Sequence, residues 1–419
     1  MTARKPRFVL TLLHRWLGLA SALFLCVAGL TGAIISWDHE LDGWLNPSFY
    51  VATTDGPRRP VLDLVRQFEA THPQARVTYM PLTLLAGEAL SLSIEPRIDN
   101  QTGQAYALDY NQVALDPVTG QTQAQRQWGD TTMTRANLLP FLYKLHYSLH
   151  LPETGGLETG MLLMGLIAMV WVLDTLIALW LAFPNWANWR HSLTLRWRAG
   201  GHRLTFDLHR SGGVWIFLLV LMMAITSVAM NLNREVMRPL VSVVSTLSPS
   251  PFASRTPLDL TQAKEPRLSL PQVLAQAQQQ AKERGWTQEP GGMSVSSRYG
   301  LFGVGFFPPG KGHGDGGLGN PWLYFDAQTG ELCGVDIPGT GSAGDIWMQA
   351  MFPLHSGRIL GTAGRVMISA LGLAIAMLSI TGVLVWARKR RARLHAKPVP
   401  VPNLSRTLDR HATPSIESI

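Results

Sequence analysis

The chain has 419 residues and a formal net charge of +8, with 46% hydrophobic and only 15% charged residues. A soluble domain carries about 25% charged residues, so this composition excludes a disordered chain and argues against a wholly soluble one. The two cysteines, Cys26 and Cys333, exclude a disulfide scaffold and any multi-cysteine metal or iron–sulfur site.

Residues 1–36 read as a basic terminus (Arg4, Lys5, Arg7, Arg15) and a first membrane span at 17–36. About twenty residues at 1.5 Å each cover a hydrocarbon layer of about 30 Å. The start resembles a signal peptide. Its apolar run is too long, however, and no Ala-x-Ala site precedes Trp37-Asp38-His39-Glu40, so an uncleaved anchor is expected. In the outer segment 37–158, residues 61–68 have helical periodicity, and residues 113–120 alternate like a strand that ends in an Asp-x-x-Thr-Gly turn.

The second span lies within 159–183 and holds Asp174, the only acid in any span, which must face protein rather than lipid. A basic loop, 184–211, carries Arg190, Arg196, Arg198, Arg203 and Arg210 ahead of a third span within 212–232. The second outer segment, 233–357, repeats the amphipathic helix at 273–281 and the strand and turn at 323–330. The fourth span falls within 358–387, and the basic tail 388–419 is expected to be disordered against anionic lipid.

Basic residues set the orientation. The N-terminus, the loop and the tail lie on one side, the cytoplasmic side by the positive-inside rule. Segment 37–158 has eight Lys/Arg against fourteen Asp/Glu and segment 233–357 nine against ten, so both face out. Topology therefore accounts for the positive charge, and nucleic-acid binding loses its support.

The chain repeats with a period of about two hundred residues. Leu13-His14-Arg15 opens span one as Leu208-His209-Arg210 opens span three, and the register sets Gly29-Leu30-Thr31 against Ala224-Ile225-Thr226. Lys144-Leu145-His146 precedes span two as Pro353-Leu354-His355 precedes span four. The expected fold is a membrane α-helical protein: a four-helix transmembrane bundle from a parallel internal repeat, with two small outer α+β domains.

Of twelve histidines, those paired by the repeat are the informative ones: His14 with His209 at the inner face, His146 with His355 at the outer face. Facing helices in a bundle can grip a bis-histidine haem between two neutral imidazoles. Gly18, Gly212, Gly213, Gly361 and Gly364 would let a flat macrocycle lie against backbone, and Arg15, Arg210 and Arg358 are possible partners of its propionates. The competing explanation is that these are interfacial polar residues. Zinc would need further ligands beyond two imidazoles. His150, one helical turn past His146, is the reserve outer ligand, and Asp174 is either structural, a propionate partner or a proton relay. His39, His72, His191, His202, His313, His395 and His411 lack repeat partners and read as solvated.

Gly312 to Gly317 and Gly339 to Gly344 both fit G-x-G-x-x-G, but neither sits in a βαβ unit, so neither is a dinucleotide site; the first reads as a flexible loop. No P-loop, H-E-x-x-H or G-x-S-x-G occurs, which leaves ATP hydrolysis, zincin and serine-hydrolase chemistry without support.

His14-Arg15-Trp16-Leu17-Gly18-Leu19, Leu145-His146-Tyr147-Ser148-Leu149-His150, Trp171-x-x-Asp174, Asp207-Leu208-His209-Arg210-Ser211-Gly212-Gly213 and Leu354-His355-Ser356-Gly357 resemble the PepSY-associated transmembrane family of bacteria, over roughly residues 8 to 390. The resemblance implies PepSY domains in the periplasm and two b-type haems. It places His14 and His209 on the inner haem, and His146 (or His150) with His355 on the outer one. It also implies an inner-membrane oxidoreductase that passes electrons from an unidentified cytoplasmic or membrane donor to a ferric siderophore or other ferric chelate. Two rivals stand beside it: a haem-free scaffold whose outer domains bind or regulate a periplasmic partner, and a transporter, for which four unbroken spans make a poor path.

Overall fold

The computed structural model describes residues 4–154, 157–185, 187, 189–312 and 316–395. The chain opens with a long helix α1 (Arg4–Ile35) and a short α2 (Asp38–Leu45). Next come α3 (Val61–Thr71) and four strands, β1 (Ala75–Pro81), β2 (Leu90–Pro96), β3 (Gln112–Leu115) and β4 (Thr122–Arg126). Helices α4 (Leu138–Ser148), α5 (Thr159–Ala182), α6 (Trp189–Ser192), α7 (Gly201–Trp215), α8 (Phe217–Asn231) and α9 (Arg238–Ser242) follow. After α10 (Leu270–Glu283) come β5 (Pro290–Ser296), β6 (Leu301–Phe306), β7 (Trp322–Asp326) and β8 (Leu332–Asp336), then α11 (Ala343–Ser356) and α12 (Gly361–Leu394).

Among the described residues three helices are long and apolar enough to cross a membrane, α1, α5 and α12, and the bent pair α7 and α8 makes a fourth if it counts as one span. The third span was expected to be unbroken, and it is not: α7 and α8 meet at 72°. At 15 residues, α8 alone is about 22 Å long, short of the hydrocarbon thickness. Two causes are visible. Gly212 and Gly213 weaken the helix just before the break, and polar contacts hold α7 to the preceding loop. Buried Asp207 accepts two guanidinium bonds and a backbone bond from Arg196, the Ser211 hydroxyl donates to Thr194 O, and Trp215 Nε1 donates to Leu193 O.

The long helices close a ring of contacts, α1 against α12 and α5, α5 against α8, and α12 against α7. A Cβ on Gly29 would stand 2.5 Å from Gly372 O, and the converse holds for Gly372, so α1 and α12 cross backbone to backbone. The tail expected to be disordered from 388 instead continues α12 to Leu394; residues 396–419 lie outside the described residues.

The outer segments were expected to form two separate modules. They share one eight-stranded sheet in the order β4-β3-β2-β1-β5-β6-β7-β8, joined where β1 pairs antiparallel with β5 (Tyr79↔Ser294, Met80↔Met293). Each of those strands would otherwise be an unpaired edge. Helices α3 and α10 cover one face, where Leu64, Phe68, Val273 and Ala277 pack on Leu92, Val113, Val304 and Phe325 as a single core. The two Asp-x-x-Thr-Gly turns have one geometry. Asp116 Oδ1 accepts from the N–H groups of Val118 and Thr119, as Asp326 Oδ1 does from Gln328 and Thr329. Gly120 and Gly330 follow at φ 79° and 75°, conformations that an L side chain resists.

Helix α2 ties the sheet to the long helices through three acids. Asp42 takes both guanidinium ends of Arg126 on β4, Glu40 those of Arg365 on α12, and Asp38 lies 3.7 Å from Arg358.

Candidate functional site

Two pairs of imidazoles lie at opposite ends of the helices. His14 on α1 faces His209 on α7 with ring centres 6.1 Å apart and planes inclined 37°. His146 on α4 faces His355 on α11 at 6.2 Å and 62°. Thr31, which contacts His146, is seventeen positions beyond His14 on α1, about 25 Å along the helix, so the pairs are separate sites.

All four rings are held by the same nitrogen. His14 Nδ1 lies 2.9 Å from Asp174 Oδ1 and His209 Nδ1 3.0 Å from Leu378 O. His146 Nδ1 is 3.0 Å from both Ala28 O and Thr31 Oγ1, and His355 Nδ1 is 3.0 Å from Thr226 Oγ1. Carbonyl and carboxylate oxygens only accept, so these Nδ1 atoms carry hydrogen and donate. The two threonine hydroxyls donate to carbonyls one turn back (Val27 and Met222), and so accept from histidine. Each ring therefore presents the Nε2 lone pair as its ligating position, fixed in the way that outer hydrogen bonds fix metal-binding histidines. Burial lowers the pKa of His146 to about 4, against the hydrogen bond to Ala28, and that of His355 to about 3, so both rings are neutral at pH 7.

Two imidazoles on one iron stand with centres about 6 Å apart, since a metal–nitrogen bond is about 2 Å and the nitrogen lies about 1 Å from its ring centre. Both pairs fit a bis-histidine haem by that measure. Small residues stand against the rings: a Cβ on Gly32 would lie 3.0 Å from His146 Cε1, and one on Gly382 2.9 Å from His209 Cε1. These are not the glycines expected from sequence. Gly18, Gly212 and Gly213 meet other side chains at ordinary distances, Gly364 packs on Gly357, and Gly361 has open space.

One expectation needs correction. His150 is not a turn beyond His146 on a common helix face, because α4 ends at Ser148 and Leu149 and His150 turn left-handed (φ 54° and 55°). The His150 ring stacks on Phe141 and its Nε2 bonds Phe141 O, while His146 is the residue opposite His355. Asp174 contacts His14. Arg210 is engaged by His191 O and Asp207, Arg15 lies over Trp16, and Arg358 is buried beside Asp38. His72 stacks on Phe68, whereas His39, beside Tyr50, and His191, His202 and His395 are exposed; His313 and His411 lie outside the described residues. The described end of the glycine-rich loop is anchored, with Gly316 and Gly317 N–H donating to Arg358 O and Ile359 O just past His355.

Sequence reasoning missed Thr31, Thr226, Gly32, Gly382 and Arg365 as site or linking residues. The alignment of Thr31 with Thr226 was the available signal. Two surface clefts lie away from the histidine rings. One, of about 280 Å³, is lined by Ser93, Ile94, Asn111, Gln112 and Trp128; Trp128 meets Tyr143 edge-on at 5.7 Å, one turn before His146. The other, of about 690 Å³, is lined by Ala187, Trp189, Arg190, His191 and Thr194.

Apolar helices of spanning length, joined to a β-sheet domain and bearing paired histidines, define a helical membrane protein. Residues 11–389 match the PepSY-associated TM region, and the chain belongs to that family. A comparison with curated proteins finds none that matches.

Proposed function

We propose that the chain is a di-haem electron-transfer protein of the bacterial inner membrane that reduces a ferric chelate, such as a ferrisiderophore, on the periplasmic side. The observation that carries this reading is the set of four histidines, paired at two levels with ring centres about 6 Å apart, each with Nδ1–H engaged and Nε2 left as the ligating nitrogen. Bound b-type haem would supply a one-electron iron(III)/iron(II) couple at each pair. His14 and His209 would hold one, His146 and His355 the other. The chain's own work is to fix the rings, exclude water and shape the two ends.

Four spans in a parallel repeat, with the arginine-rich ends and both termini cytoplasmic, suit this reading. The repeat is supported by matched contacts: His146 to Thr31 and His355 to Thr226, each at 3.0 Å. The Trp128 cleft on the sheet is the acceptor side, and the cleft beside Arg190 suits an acidic donor protein. Iron(II) is held more weakly than iron(III) by hard oxygen ligands, so reduction releases the metal.

A reduced-minus-oxidised spectrum with haem quantified per polypeptide tests the proposal. Two haems per chain are expected. Purified protein without a Soret band overturns the reading and leaves the haem-free scaffold, whose histidines would be structural. A finer check uses the ring-facing glycines. Gly382→Val is expected to displace His209 and lower the haem content toward one per chain, and Gly32→Val to do the same at His146, each leaving the opposite site filled.

A further inference from the structure

The four Nδ1–H groups do not donate to equivalent acceptors. His146, His209 and His355 donate to backbone carbonyls or threonine hydroxyls, all neutral. Among the four, His14 alone donates to a carboxyl group, that of Asp174, in the C-terminal half of α5 and only 7% exposed. We infer that Asp174 lowers the reduction potential of the centre held by His14 and His209 relative to that held by His146 and His355, and so sets the direction of electron flow outward. This inference rests on the di-haem reading.

The physical basis is local charge. A carboxylate on the remote nitrogen of a ligating imidazole makes that ring a stronger donor, and a stronger donor stabilises iron(III) over iron(II). Asp174 is buried, so its charge acts across the imidazole at a low effective dielectric. The cationic groups at the same end work the other way. Arg15 and Arg210, next to the two ligands, are half-buried, and Asp207 offsets Arg210, whereas Arg388 and Lys389 are exposed on the last turns of α12, where water and salt screen them. Asp174 is thus a positioning residue for His14 and a source of negative charge at one pair only. Only the iron(III)/iron(II) couple changes oxidation state, by one electron, and no bond forms or breaks.

A spectroscopic redox titration of the full-length protein in nanodiscs tests this. The wild type should show two midpoints, with the lower assigned to the inner pair by its loss in His209→Ala. Asp174→Asn should raise that midpoint alone, shifting its reduction equilibrium by at least about tenfold (about 59 mV for one electron), and Asp174→Glu should restore it. Two haems with both midpoints unmoved in Asp174→Asn, or a shift confined to the outer centre, overturn the inference alone. If Asp174→Asn loses the inner haem, electron paramagnetic resonance of the wild type decides. The inner centre must then show the narrower spread of g values that a carboxylate-bonded imidazole produces, and an equal or wider spread overturns the inference. A haem-free wild type overturns the di-haem reading itself.

Discussion

Alanine at His355 is expected to remove one haem of two, while alanine at His150 removes none. The difference follows from where the two nitrogens go. His355 faces His146 at 6.2 Å with Nδ1 tied to Thr226, whereas His150 spends its Nε2 on Phe141 O and lies 4.4 Å from the Phe141 ring. His14→Ala should empty the inner site and spare the outer one, because the pairs share no residue and lie about 25 Å apart along α1. Loss of both haems in any single alanine variant would mean that the pairing is wrong. Removing the orienting hydroxyl with Thr226→Val keeps the ligand but frees its ring, and should weaken haem retention by about 10- to 100-fold. Haem per polypeptide and the sharpness of the reduced α band read each result.

The long helices and the histidine pairs were legible because both are written in short-range pattern: runs of apolar residues, and His-containing motifs repeated at one spacing. The break in the third span was not. Hydropathy averages over a window, and the forces that bend α7 are the polar contacts of Asp207, Ser211 and Trp215 with the preceding loop. The union of the two outer segments was equally hidden, since the pairing of β1 with β5 joins residues more than two hundred positions apart and nothing in either strand's alternation names its partner. His146 could be preferred over His150 through its alignment with His355, but the reason lay in a left-handed turn at two non-glycine residues. The glycines expected at the macrocycle were chosen for nearness in sequence. Helix rotation, which hydropathy does not report, brings Gly32 and Gly382 to the rings. Asp174 was recognisable as a residue that must face protein, but its partner depended on how α1 and α5 pack.

Replacing Arg126 by alanine is expected to destabilise the outer sheet by about 3–5 kcal/mol. Asp42 and Arg126 are both buried, and two guanidinium nitrogens donate to the two carboxylate oxygens at 3.0 and 2.7 Å. The remaining valences are filled as well. Tyr50 Oη and Asn46 Nδ2 donate to Asp42, Arg126 donates to Gln112 and Ala136 O, and its guanidinium lies over Phe49. Burial and the adjacent Asp42 carboxylate raise the Tyr50 pKa, so its hydroxyl keeps its proton and its role as donor. Alanine at position 126 strands the Asp42 charge among these groups, and an uncompensated buried charge costs more than the intact pair contributes. A double variant, Asp42→Leu with Arg126→Met, removes both charges and should recover most of the loss, as replacement of a buried pair by apolar residues commonly does. Urea unfolding followed by tryptophan fluorescence measures both. A single variant within about 1 kcal/mol of wild type would show the pair to be solvated. The haem content of Arg126→Ala should stay at the wild-type value, because Glu40 and Asp38 on the same helix still engage Arg365 and Arg358. The four histidines take their orienting bonds from α1, α5, α8 and α12 rather than from the sheet.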